Sequence, residues 1–185
     1  MDAKTKRALN EMSATEIAAK IAASEATCES IVRDCVERIA ERDDTVKAWV
    51  NFDPDLALAQ ARALDHEQRG SPRHGVPIRV KDIIDTFDMP TEMGSPIYRG
   101  YRPATDAARV ALLRRAGAII LGKTATCELA GMAPFATINP HNAAHTPGSS
   151  SSGSAAAVAD KMVPAALDTQ TGGSVHRAVH ARRAA

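Results

Sequence analysis

Apolar residues recur every three to four positions through the first third of the chain, in three separate runs. Ser13 stands three residues before Glu16, the spacing of a reciprocal helix cap, so a helix is expected to start there with Ile17 and Ile21 on its inner face. From Thr27 onward, Cys28, Ile31, Val32, Cys35, Val36 and Ile39 repeat at helical spacing, while Arg33, Glu37 and Arg38 occupy much of the opposite side. A third helix is predicted over "PDLALAQARALDHEQ", ended by Gly70. Residues 1–70 thus read as a helical lead-in, followed by a loop of Gly, Ser and Pro, "RGSPRHG".

The pattern changes at Gly75. "GVPIRVKDIID" is β-branched and runs into charge, which predicts a short strand. The loop "TFDMPTEMGSPIYRGYRPA" follows, and a loop of that length inside a compact domain tends to carry function. "TDAARVALLRRAG" predicts a helix capped by Thr105 or Asp106, with Val110, Leu112 and Leu113 on its buried side and Gly117 at its end. "AIILGKT" then predicts a buried strand. Strand, loop, helix, strand is the order of an α/β fold with parallel pairing. Near the end, "SAAAVAD" is a good helix start and "VPAALD" a short apolar strand.

Composition narrows the function classes. Hydrophobic residues make up 44% of the 185 and charged residues 24%, as in an ordinary globular protein, and only 3% are aromatic, so the core is expected to be aliphatic. A net charge of +1 gives no reason to expect nucleic acid as a partner. No apolar run is long enough for a membrane span, and "MDAKTKRALNEM" has no apolar signal core. Cys28, Cys35 and Cys127 form neither a metal spacing nor an even disulfide set, and read as small buried apolar residues. A cytoplasmic protein is the expectation.

Two stretches carry candidate chemistry. Gly117 to Thr124, "GAIILGKT", matches the spacing of a phosphate-binding loop, but a helix precedes the first glycine and the intervening Ala, Ile, Ile and Leu favour a sheet. Nucleotide binding is therefore not expected, and Lys123 reads as the polar end of a strand. The second stretch, "HTPGSSSSGSAAAVAD", fits a flexible serine linker on composition alone. Against that, its serines lie at a helix N-terminus with free amides, and a second turn, "TQTGGSV", follows the next strand. A serine needs a base to become nucleophilic. His66, His74, His141 and His145 sit in polar loops and read as solvated. Lys81, at the end of an apolar strand, is the other candidate, because burial favours its neutral form.

Together "GVPIRVKD", "GSSSSGSAAAVA" and "TQTGGSVHR" resemble the amidase signature family, from the helical lead-in to about Arg177. The separations match as well: 69 residues from Lys81 to Ser150 and 24 from Ser150 to Ser174. The resemblance implies a mixed α/β sheet flanked by helices, over 71–177, and hydrolysis of a carboxylic amide without metal or cofactor. It implies Ser174 as the nucleophile, Ser150 after a cis peptide bond as proton relay, and neutral Lys81 as base. Backbone amides of Thr171, Gly172, Gly173 and Ser174 would form the oxyanion hole, with Ser151 and Arg177 near the substrate. The partner implied is a small-molecule amide. A glutamine-amidase subunit of a tRNA-dependent amidotransferase and a non-catalytic remnant are the alternatives.

Three departures stand out. Ser149 replaces a family glycine before the relay serine, and Arg79 stands where small residues are usual, two positions before Lys81. After Ser174 the sequence keeps Arg177 but loses the family's Arg-Pro pair and ends in a basic stretch, 178–185. The expectation is a chain shortened by a frameshift or stop, lacking the C-terminal half of the fold, with impaired activity.

Overall fold

A computed structural model describes residues 8–67, 71, 73–133 and 135–176. The lead-in forms as its caps dictate. Helix α1 (Ala14–Ala22) starts at Ser13 with the full reciprocal cap to Glu16, and buries Ile17 and Ile21. Helix α2 (Cys28–Val46) starts at Thr27 with a second such cap to Ser30, and buries Cys28, Ile31, Val32, Cys35 and Ile39. Lys47, in the left-handed conformation, ends it and turns the chain into strand β1 (Trp49–Phe52). This strand lies within the helical lead-in read over residues 1–70, and the sequence does not signal it, because four residues are too few to show a period. Helix α3 (Pro54–Asp65) follows, with Asp53 capping it and Pro54 in its first turn.

Strand β2 (Pro77–Lys81), helix α4 (Ala108–Arg115), strand β3 (Ile119–Thr124), helix α5 (Ser152–Ala159) and strand β4 (Ala165–Leu167) complete the fold. The sheet order is β1-β3-β2-β4. Strands β2 and β3 are parallel, as are β2 and β4, and β1 runs antiparallel to β3. The two central strands are buried along their whole length, and with their apolar residues they bury Arg79, Lys81, Lys123 and Thr124.

Helix α4 is shorter than its sequence suggests. It starts after Ala107 without a side-chain cap. Asp106 instead accepts hydrogen bonds from the Phe87 amide and Arg114, joining the long loop to the helix. Val110 is buried and Leu113 packs partly buried against the core, but Leu112 is 57% exposed. Among the described residues, no helix is long and apolar enough to cross a membrane.

Helix α5 brings the serine run onto the sheet, touching β2, β3 and β4. Gly153 makes the approach possible: a Cβ there would lie 2.3 Å from the Ala48 carbonyl oxygen and 2.5 Å from the Ala125 amide nitrogen. At its far end Asp160 is gripped by Arg38 and Arg42 of α2, each at 2.9 Å. The helix is thus fixed at both ends.

Candidate active site

Three segments converge at the C-terminal end of β2. Lys81 is the last residue of that strand. The serine run enters α5 through Ser150 and Ser151, and the Ser149–Ser150 peptide bond is cis. The third segment leaves β4 at Leu167 and reaches Ser174 through a glycine turn in which Gly173 has φ of 124°, a conformation open to glycine. Because β2 lies between β3 and β4, with α5 across them, residues far apart in sequence become neighbours.

The polar atoms form a continuous chain. Lys81 Nζ lies 2.9 Å from Ser150 Oγ, 3.2 Å from Thr169 Oγ1 and 3.4 Å from Ser174 Oγ. Ser150 Oγ and Ser174 Oγ are 2.7 Å apart. The Ser150 amide donates to Ser174 Oγ at 2.7 Å, and Ser151 Oγ lies 3.2 Å from it. Lys81, Ser150, Ser151 and Ser174 are all buried. A hydroxyl with three hydroxyl or amine neighbours and an amide donor can pass its proton along the chain and remain hydrogen-bonded as an anion.

Burial is the largest influence on Lys81 and lowers its pKa below that of an ordinary lysine; Asp168 and Cys127 oppose this, and Arg79 adds to it. Arg79 lies two residues from Lys81 and therefore on the same face of β2. Its charge is met by Asp168, with both guanidinium contacts at 3.1 Å. Ser154 Oγ bonds to both partners, and Thr124 Oγ1 accepts from Arg79 at 3.0 Å. Arg79 thus does not present a bare cation to the site.

Several contacts are absent from the sequence reading. Thr169 contacts Lys81, and Gln170 Oε1 accepts from the amides of Val175 and His176 at 3.0 Å each, capping the turn that begins at Ser174. Thr and Gln directly before a glycine turn were the available signal. Thr171 and Gly172 are exposed and Gly173 is half-buried, so this backbone borders solvent beside a buried Ser174. Arg177 and the stretch 178–185 lie outside the described residues.

Other expectations change with burial. His74 is buried, with Nε2 3.0 Å from the Leu64 carbonyl oxygen, and so is not a solvated loop histidine. Lys123 is the penultimate residue of β3, but it is wholly buried. It pairs with Asp82 at 3.1 Å and donates to Pro90 O and Thr91 Oγ1, anchoring the long loop to β3. Its neighbour Gly122 lies inside that strand, against Asn51 and Trp49, where no phosphate can approach. All three cysteines are buried. Among the described residues, no group of three or more His, Cys, Asp or Glu side chains is arranged to hold a metal ion.

A sequence model of the amidase family matches residues 30–177. The chain is 40% identical over 179 residues to one subunit of the glutamyl-tRNA(Gln) amidotransferase of Chloroflexus aurantiacus, covering 91% of this chain and 37% of the relative. It is 43% identical over 174 residues to the same subunit of the Acidothermus cellulolyticus amidotransferase, covering 89% and 34%. Among solved structures, the native peptide amidase from Stenotrophomonas maltophilia superposes with a TM-score of 0.82 at 36% identity, covering 91% of this chain and 38% of that one. The chain therefore spans little more than a third of the length of these proteins.

Proposed function

The chain belongs to the amidase family, and we propose that it carries the serine–serine–lysine machinery of a carboxylic amide hydrolase. The observation that supports this most is the unbroken contact path from Lys81 through Ser150 to Ser174. Neutral Lys81 accepts the Ser150 proton as Ser150 accepts that of Ser174. Ser174 Oγ then bonds to the amide carbon, and the carbonyl π electrons move onto its oxygen. Amides of residues 171–174 stabilise that oxyanion. As the C–N bond breaks, its electron pair leaves with nitrogen, which takes back a proton from the Lys81 ammonium through Ser150. Water then attacks the Ser174 ester, losing its proton along the same path, and releases the acid.

Turnover by the 185-residue chain is expected to be slow. Strand β4 lies at an edge of the described sheet, and exposed Thr171 and Gly172 border the site. An oxyanion hole works when its amides are rigidly supported and water is excluded. The test is hydrolysis of a simple amide by the purified chain and by Ser174→Ala.

The two relatives named as amidotransferase subunits favour a second reading, in which the amide is glutamine and the product is ammonia for a partner enzyme. Glutamine-dependent ammonia release, compared with hydrolysis of a peptide amide, decides between the two substrates. A chain inert to both, and to a serine-directed probe, is the non-catalytic remnant.

A further inference from the structure

Arg79 and Asp168 meet where a buried strand and the exit of an edge strand face each other. Arg79 pairs in register with Ala166 of β4, so Asp168, two residues on, emerges on the same side. Arg79 is fully buried, and Asp168 is partly buried with its side chain 14% exposed. The next residue, Thr169, holds two links to the site: its hydroxyl contacts Lys81 Nζ, and its carbonyl accepts from Ser151 Oγ at 3.5 Å. The ion pair thus ties the segment leading to Ser174 onto the strand that carries Lys81.

We propose that Arg79 and Asp168 are a positioning pair for Lys81, holding Thr169 against its amine and presenting Lys81 with a neutral unit in place of either single charge. The inference rests on the reading of Lys81 as the base. The charged and titratable groups facing Lys81 are Arg79 from β2, Asp168 from the end of β4 and Cys127 from the segment after β3. Helix α5 and the residues before it contribute the hydroxyls of Ser150, Ser151 and Ser154, and Asp82 and Lys123 are occupied with each other. Burial makes the neutral form of Lys81 favourable, and the pair leaves that effect uncancelled. Asp168 alone would raise the affinity of Lys81 for its proton, and Arg79 alone would lower it.

The test is an NMR titration of Lys81 in the folded 185-residue chain carrying 13Cε-labelled lysine, with the signal assigned by Lys81→Met. Arg79→Met is expected to raise the Lys81 midpoint, and Asp168→Asn to lower it, each by about one pH unit. The double variant is expected to return close to the parent. Shifts in the same direction, or no shift in a folded variant, overturn the proposal. If Asp168→Asn fails to fold, Arg79→Met against the double variant still reads the sign. If both single variants fail, the double variant, which leaves no lone charge, decides through labelling of Ser174 by a fluorophosphonate above the Lys81 midpoint. A roughly tenfold slower rate is expected once Thr169 loses its tether, and an unchanged rate overturns the positioning role. A parent chain unlabelled at Ser174 overturns the amide-hydrolysis reading instead, and leaves the titration, which needs no reactive serine, to decide the pair.

Discussion

The hydroxyl oxygens of Ser150 and Ser174 lie 2.7 Å apart, and the Ser150 backbone amide reaches the same Ser174 oxygen at 2.7 Å. Ser150 therefore meets Ser174 through two groups, only one of which a side-chain substitution removes. Ser150→Ala is expected to keep the amide contact but lose proton relay, slowing acylation of Ser174 about 10²- to 10⁴-fold. Ser174→Ala is expected to leave no labelled serine. Rates of fluorophosphonate modification, followed by intact mass, check both.

Lys81 sets the pH dependence. Its pKa is lowered from 10.5, mainly by burial, so serine reactivity is expected to rise with pH through a midpoint below that value and to fall as the lysine gains its proton. The sign for stability follows from proton counting. Between the lowered folded value and 10.5 the unfolded chain binds more protons, so stability from this group rises with pH across that window and is lowest below it. Lys81→Met is accordingly expected to raise Tm at neutral pH while abolishing labelling. Calorimetry at several pH values, paired with labelling rates, checks the two effects together.

Gly153 sits where the backbones of two other segments leave no room for a methyl group. Gly153→Ala is expected to lift the start of α5 from the sheet, costing about 1–3 kcal/mol in stability, and to move Ser150 away from Lys81. Urea denaturation reads the first and labelling the second. Ala155, on the same buried helix, provides a control through Ala155→Gly, whose cost of about 1 kcal/mol comes from helix propensity.

Lys123 pairs with Asp82 in the interior and holds the loop from β2 through Pro90 and Thr91. Lys123→Met leaves Asp82 buried without its cation and is expected to cost about 3–5 kcal/mol. ATP with magnesium is expected to leave Tm unchanged in the parent chain, since the GKT stretch is a filled strand. A thermal shift series checks both statements.

The sequence is legible where chemistry is local. Ser13 with Glu16, and the period running from Cys28 to Ile39, announce their helices because caps and amphipathic faces need only neighbours a turn away. Lys81, Ser150 and Ser174 emerge only as three ordered motifs, since nothing local shows that strand and helix ends meet. Strand β1 escapes because it is short, and its partner β3 lies some seventy residues on. The link between Arg79 and Asp168 depends on strand register, which places Arg79 opposite Ala166. An arginine inside an apolar strand does require a buried anion, but the sequence offers many carboxylates. His74 is hidden for a similar reason: its polar neighbours conceal a ring packed beneath α3, bonded to Leu64.

Everything above turns on whether Ser174 is activated through Ser150 by Lys81. The decisive experiment is fluorophosphonate labelling of the purified 185-residue chain, with the modified peptide identified by mass spectrometry. The expected outcome is an adduct on Ser174 that is lost in Ser174→Ala and in Lys81→Met while both variants stay folded. An unlabelled Ser174 in the folded parent chain, or labelling that persists undiminished in Lys81→Met, would overturn that activation.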